Sequence, residues 1–201
     1  MRFANVLAFA TAVTAAAVPN GKTAVSPDGY VYDVVDESLY VPDTVTLPDG
    51  STTTVLIHPA LMLKRNEDKL DKRLDWSGGS PDKCGASSFI NKSSGGSPLT
   101  SDCEAIRNYY QWANGRFVAF AWDFGSAWTR LVITGTCVFG IKSANVGGVN
   151  VGSLDIYDLT RDSINWYKTS GSPSRIGAEG HMGCATEWAG NADVDWAIFH
   201  N

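Results

Sequence analysis

All four cysteines and all seven tryptophans of this chain lie downstream of Arg73. Residues that are costly to place mark where a core is built. The stretch from Leu74 to Asn201 is therefore read as one domain, of a size that supports a real core.

Upstream of that stretch the composition changes twice. Residues 1–17 have the physics of an export signal: one positive charge at Arg2, an apolar run from Phe3 to Val13, and small residues Ala15, Ala16 and Ala17 before Val18-Pro19. That run is too short to span the roughly 30 Å of bilayer hydrocarbon. Residues 18–73 are rich in Pro, Asp and Thr and contain one hairpin-like passage, Val45-Thr46-Leu47 and Thr54-Val55-Leu56-Ile57 around Pro48-Asp49-Gly50. Little core is expected from them. The segment ends in two dibasic pairs, Lys64-Arg65 and Lys72-Arg73, whose adjacent cations suit the acidic subsites of a kexin-like or furin-like processing protease. The expected organisation is a signal peptide (1–17), a pro-segment (18–73) and a C-terminal domain (74–201), with function sought in the last.

Four cysteines in an exported domain are most simply two disulfides, and the spacing of Cys84, Cys103, Cys137 and Cys184 lacks the close pairing that a zinc site needs. No metal or other cofactor is expected. Three pairings are open at this point. The preferred one joins Cys103 to Cys137, a helix to the sheet, and Cys84 to Cys184, the first strand to a late one. The domain carries nine Lys and Arg against twelve Asp and Glu, with no basic block, which argues against nucleic acid or an anionic membrane as an electrostatically recruited partner. Asn91-Lys92-Ser93 is the one N-x-Ser/Thr sequon, in a polar stretch suited to carrying a glycan on Asn91.

Periodicity supplies the elements. Ser97-Pro98 and Ser101-Asp102-Cys103-Glu104 both resemble helix starts, and Leu99, Cys103, Ile106 and Tyr110 follow one helical face up to Gly115. Phe117 to Trp122 and Arg130 to Ser143 read as strands, the second interrupted by Gly135 and Gly140. Ser153 is placed at the cap of a second helix, with Asp155 and Asp158 in its first turn and Ile156, Leu159, Ser163 and Tyr167 on one face. Two closing strands follow, Arg175 to Ala185 and Val194 to His200. The fold class is α+β, two helices packed on a mainly antiparallel β-sheet.

Several motifs in this frame resemble one family. They are Cys84-Gly85-Ala86-Ser87-Ser88-Phe89, Ser97-Pro98-Leu99 with Ser101-Asp102-Cys103, and Gly135-Thr136-Cys137-Val138-Phe139-Gly140. Val151-Gly152 leading to Asp155-Ile156 and Asp162-Ser163-Ile164 follows, then Gly177-Ala178-x-Gly180 with Met182-x-Cys184, and finally Trp196. In order and spacing they resemble the fungal necrosis-inducing factor domain, the homologues of a secreted effector of a leaf-mould fungus. The resemblance implies a secreted, disulfide-bridged effector of killer-toxin-like α/β-sandwich form, associated with host-cell death or antagonism of competing microbes. Only the four cysteines carry over from it, since it offers no catalytic residues. The aromatic stretch Phe120 to Thr129, with Trp122 and Trp128, departs from the family pattern.

A hydrolase is the alternative from another class, ribonuclease-like first. General acid–base chemistry needs groups converging on the reacting atoms, and Arg175, Glu179 and His181 fall on one face of a presumed strand, with His200 able to approach from the last. Ordinary solvation of a strand face produces the same pattern. A glycosidic carboxylate pair from Asp155, Asp158 or Asp162 is better explained by helix capping. Trp112, Trp122, Trp128, Trp166 and Trp188 fall near helix ends or loops and are candidates for a binding surface, whereas Trp196 and Phe139 are assigned to the core. The expectation is a secreted, monomeric, non-enzymatic effector that binds a host or competitor cell-surface component.

Overall fold

The computed structural model describes residues 22–34, 36–58, 80–119, 127–143, 148–187 and 189–201. The leader and both dibasic pairs, Lys64-Arg65 and Lys72-Arg73, lie outside the described residues. The strands are β1 (Thr23–Val25), β2 (Val31–Asp33), β3 (Val41–Thr46), β4 (Thr52–Ile57), β5 (Cys84–Ser87), β6 (Ile90–Asn91), β7 (Arg116–Ala119), β8 (Thr129–Thr134), β9 (Cys137–Lys142), β10 (Val149–Gly152), β11 (Ala178–Ala185) and β12 (Asn191–His200). The helices are α1 (Thr100–Trp112) and α2 (Ser153–Tyr167).

The main sheet runs in the order β3-β4-β8-β9-β12-β11-β5, with β6 also pairing β11, and each of its strand pairs is antiparallel. The α+β architecture expected from the sequence, two helices on a mainly antiparallel sheet, is the one observed. α1 and α2 lie side by side and antiparallel. Ser153 at the start of α2 donates through Oγ to Ala113 O just past the end of α1, while Thr100 N at the start of α1 donates to Ser174 O in the loop after α2. Between helices and sheet sit Cys103, Ile106 and Tyr110 from α1, Ile156, Leu159 and Ile164 from α2, and the inward residues Phe139, Ile141, Val194, Trp196 and Ile198. Trp196 and Phe139 are fully buried, as assigned; their rings lie parallel, and Trp196 Nε1 donates to Ser87 Oγ at 2.6 Å. The ribbon β7–β10 closes the same core with Phe117, Val149 and Val151.

The disulfides pair as preferred. Cys84 and Cys184 are direct cross-strand neighbours on β5 and β11, and Cys103 of α1 is joined to Cys137 of β9. They close loops with sequence separations of 100 and 34. On the chain-entropy model such loops contribute about 4 kcal/mol each.

Several boundaries differ from expectation, and the two closing strands start at Ala178 and Asn191 where Arg175 and Val194 are expected. The stretch Arg130 to Ser143 is a hairpin, β8 and β9, because Gly135 adopts φ +53 and turns the chain. A Cβ there would also meet the Asp102 carboxylate at 2.6 Å. Ser101 does not cap α1: the boundary residue is Leu99, and Asp102 accepts from Thr136 N and Oγ1, both at 2.7 Å, so the polar residues of this turn tie the helix to the hairpin. Ser153 is the first residue of α2; Asp155 takes the capping role by accepting from Gly152 N at 2.7 Å.

The largest departure lies at the other end of the sheet. The segment expected to add little core supplies β3 and β4 to the sheet and places Val45, Val55 and Ile57 in the helix-side core. On the opposite face a second apolar cluster joins Ile133, Val138, Ala197 and Phe199 to Tyr40, with Tyr30, Tyr32 and Leu56 packed against it. Middle strands of this sheet are thus covered on both faces, by helices on one side and by Tyr30, Tyr32 and Tyr40 on the other.

Candidate functional site

β11 alternates as period-two geometry requires: Ala178, Met182 and Cys184 are buried against the helices, and Glu179 and His181 point to the outer face. The two polar residues are therefore neighbours on one face, but each has its own partner. Glu179 receives the Lys92 ammonium at 2.8 Å on Oε1 and the Tyr30 hydroxyl at 2.9 Å on Oε2. Burial, and then that same carboxylate, holds the Tyr30 phenol well above its ordinary range, so it stays a neutral donor. His181 lies with Nδ1 2.9 Å from Ser88 Oγ, and its backbone N donates to the same hydroxyl at 3.0 Å.

The other two members of the proposed set are elsewhere. Arg175 precedes the strand; its guanidinium donates to Ser97 O and its amide to Thr169 Oγ1, which closes the loop after α2. His200 at the end of β12 donates its backbone N to the Asp28 carboxylate at 3.0 Å, and its ring Nδ1 lies 2.9 Å from Asn201 O. The structure brings together Glu179 and His181 and does not bring Arg175 to them.

The helix carboxylates also resolve into fold contacts. Asp155 is buried and accepts from Gly152 N, Lys83 N and Cys84 N, tying the start of β5 to the start of α2. Burial outweighs those three donors and pushes its carboxyl up from 3.8 to about 6, with Asp82 nearby adding to the rise. Asp158 and Asp162 bracket the Arg161 guanidinium at 2.6 and 2.7 Å. Among the described residues, no group of three or more His, Cys, Asp or Glu side chains is placed to hold a metal ion.

The aromatic candidates separate into three classes. Trp122 and Trp188 lie outside the described residues. Trp128 belongs to the outer face, edge-on to Tyr30 at 5.8 Å, with the Lys142 ammonium 5.4 Å above its ring. Trp112 and Trp166 are 82% and 58% exposed. Trp166 stands edge-on to the half-buried Phe89 at 4.8 Å on the helix side of the sheet, whereas Ile90, 51% exposed, lies opposite Glu179 on the other face, and Trp112 stands at the end of α1. Asn91 of the sequon is exposed, and its Oδ1 accepts from Ser93 N at 2.9 Å.

A family model described as that of a pathogen effector and candidate necrosis-inducing factor matches residues 83–184, half of the chain. The chain belongs to that family. The matched part of this effector runs from the residue before the first cysteine to the last cysteine, so both disulfides, both helices and strands β5 to β10 fall inside it. The effector's strands β3, β4 and β12 fall outside it. No curated protein is significantly similar to the chain.

Sequence reasoning missed Tyr30, Lys92, Ser88 and Asp28, the partners that occupy the expected acid–base groups. A signal for the first was present: Tyr30-Val31-Tyr32 places two rings on one side of an extended segment, a pattern that needs a surface to cover.

Proposed function

We propose that this family member is an exported effector that acts on another cell by contact with a membrane or wall component, and that it works without turning over a substrate. The observation that carries the reading is the contrast on the molecule's surface between occupied polar groups and the exposed ring of Trp166. Glu179 is engaged by Lys92 and Tyr30, His181 by Ser88, and Arg175 by Ser97. Trp166 touches Phe89 and Tyr167 yet stays 58% exposed, and rings presented this way stack on sugars or anchor in protein pockets. Two paired disulfides support export, because such bridges persist in oxidising compartments. In the same reading the effector is a monomer, needs no cofactor, and carries its glycan on Asn91.

The test applies purified protein and its Trp166→Ala variant to plant tissue and to competing microbes, with RNA breakdown and retention on insoluble chitin and glucan measured in parallel. Cell death or growth arrest that is lost with Trp166, without RNA breakdown, is the expected result. Death that survives Trp166→Ala but is lost in Glu179→Ala and His181→Ala, with RNA consumed, would replace it by the ribonuclease-like alternative.

A further inference from the structure

We propose that residues 22–58 are a resident part of the effector, and that cutting at the dibasic pairs yields a two-chain protein whose N-terminal chain stays on the sheet without a covalent link. The inference concerns what the active species is made of and stands whether or not the effector acts by contact.

The segment meets the rest of the chain in three separate ways. Along the sheet, β4 pairs with β8 through Leu56 opposite Ile133 and Ile57 opposite Val132, and His58 N donates to Leu131 O at 3.0 Å. Toward the helices, Val45, Val55 and Ile57 are buried in the main core, and Tyr109 of α1 donates its hydroxyl to Asp43 at 2.9 Å. Over the outer face, Tyr30 stacks on Phe199 at 5.0 Å, and Tyr40 donates its hydroxyl to Arg130 O at 3.1 Å. Burial of large apolar side chains on both faces of one sheet is what holds a domain together.

Charge adds specificity to that interface. The Arg130 side chain on β8 is only 3% exposed; it bridges Glu37 of the segment at 3.3 Å and Asn201 at the other end of the chain at 2.8 Å, with the Tyr32 ring 4.6 Å away. Asp28 and Tyr30 complete the contact by binding His200 N and Glu179. Losing the segment would uncover Phe199, Ile133, Val138 and Ala197 together, an apolar surface of the kind soluble proteins keep covered.

The dibasic pairs sit in the chain where cutting spares all of this. Lys64-Arg65 and Lys72-Arg73 fall between His58, the last residue whose hydrogen bond ties β4 to β8, and Lys83, whose amide opens the contact with Asp155. A cut after Arg65 or Arg73 therefore severs none of the contacts named above. Both disulfides lie within 84–184, so neither crosses the cut. Processing then leaves a nicked effector that is held together by packing.

The experiment treats the purified full chain with a dibasic-specific protease, then compares native size-exclusion chromatography with a non-reducing denaturing gel, identifying fragments by mass. The expected result is one native peak containing both fragments and two bands on the gel. A native peak of the C-terminal fragment alone, with the N-terminal fragment eluting separately, overturns the proposal, and so does a chain that resists cutting at both pairs. Ile57→Asp, which puts a charge at a fully buried position, should raise the fraction of N-terminal fragment released by roughly tenfold or more. Should that variant not fold, urea titration of the cut wild-type protein serves instead: release of the N-terminal fragment must coincide with loss of the Trp196 environment, and release at far lower urea than that loss overturns the proposal.

Discussion

The region from Cys84 to Cys184 and the region from Lys22 to His58 build one sheet by different means. The first is fastened by two disulfides and by carboxylates that tie one element to the next, Asp102 to the β8–β9 turn and Asp155 to the start of β5. The second has no cysteine and is held by rings, aliphatic side chains, a few side-chain polar contacts and a short run of strand pairing. The difference teaches that covalent bridging marks where the chain would otherwise be loose, and need not mark the limits of the folded unit. β8 shows why. Its residues are buried from Thr129 to Thr134, which requires a cover on each face, and the bridged region supplies only one.

The comparison can be broken most forcefully at the disulfides. Replacing Cys103 and Cys137 by Ser should cost about 4 kcal/mol and lower the thermal midpoint by about 10 °C in calorimetry, while leaving the outer-face ring contacts in place. An unchanged midpoint would mean that the bridged region is held, like the other, by packing alone. Next in size is Phe199→Ala, which removes the ring under Tyr30 and should cost about 3 kcal/mol in chemical denaturation. A negligible cost would show that the N-terminal segment is only draped on the sheet.

Acidity should act on the two regions with opposite sign. Burial, with a contribution from Arg130, lowers the His58 imidazole from 6.5 to about 4. A depressed histidine favours the fold while neutral, so its contribution is present above about pH 6.5 and is lost as the pH falls toward 4. Asp155 is raised, so its contribution is present below about pH 3.8 and is lost as the pH rises through 6. Each is worth on the order of 3 kcal/mol. Amide exchange at pH 7 and pH 4.5 checks the pair: acidification should increase protection at Lys83 and Cys84 and decrease it along β4, with His58→Gln and Asp155→Asn each abolishing its own half. The smallest effect is expected at Trp112→Ala, within about 0.5 kcal/mol in chemical denaturation, because the ring is 82% exposed.

Much of the bridged region was legible in the sequence. The helical faces through Cys103, Ile106 and Tyr110 and through Ile156, Leu159 and Ser163, the alternation of Val194, Trp196 and Ile198, and the placement of Glu179 and His181 on one face all follow from periodicity. Less legible was what tertiary contact decides. Asp102 and Asp155 carry the mark of helix-start residues, yet they bind amides far along the chain, and Ser101 and Ser153 are left without the capping role that local rules assign them. The covered outer face did leave a trace: β12 changes from Asp193 and Asp195 to Ala197 and Phe199 on its outward side, the change of a strand that passes from solvent to a second buried face. Tyr30, Tyr32 and Tyr40 were the matching trace upstream, obscured by a composition that otherwise reads as linker.

Hydrogen exchange of the intact chain, read at Leu56, Ile57 and His58 against Leu131, Val132 and Ile133, tests most directly whether the two regions form one sheet. Protection of both sets, lost together as denaturant is raised, is the outcome this account predicts. Free-chain exchange at Leu56 to His58 while Leu131 to Ile133 stay protected would contradict it.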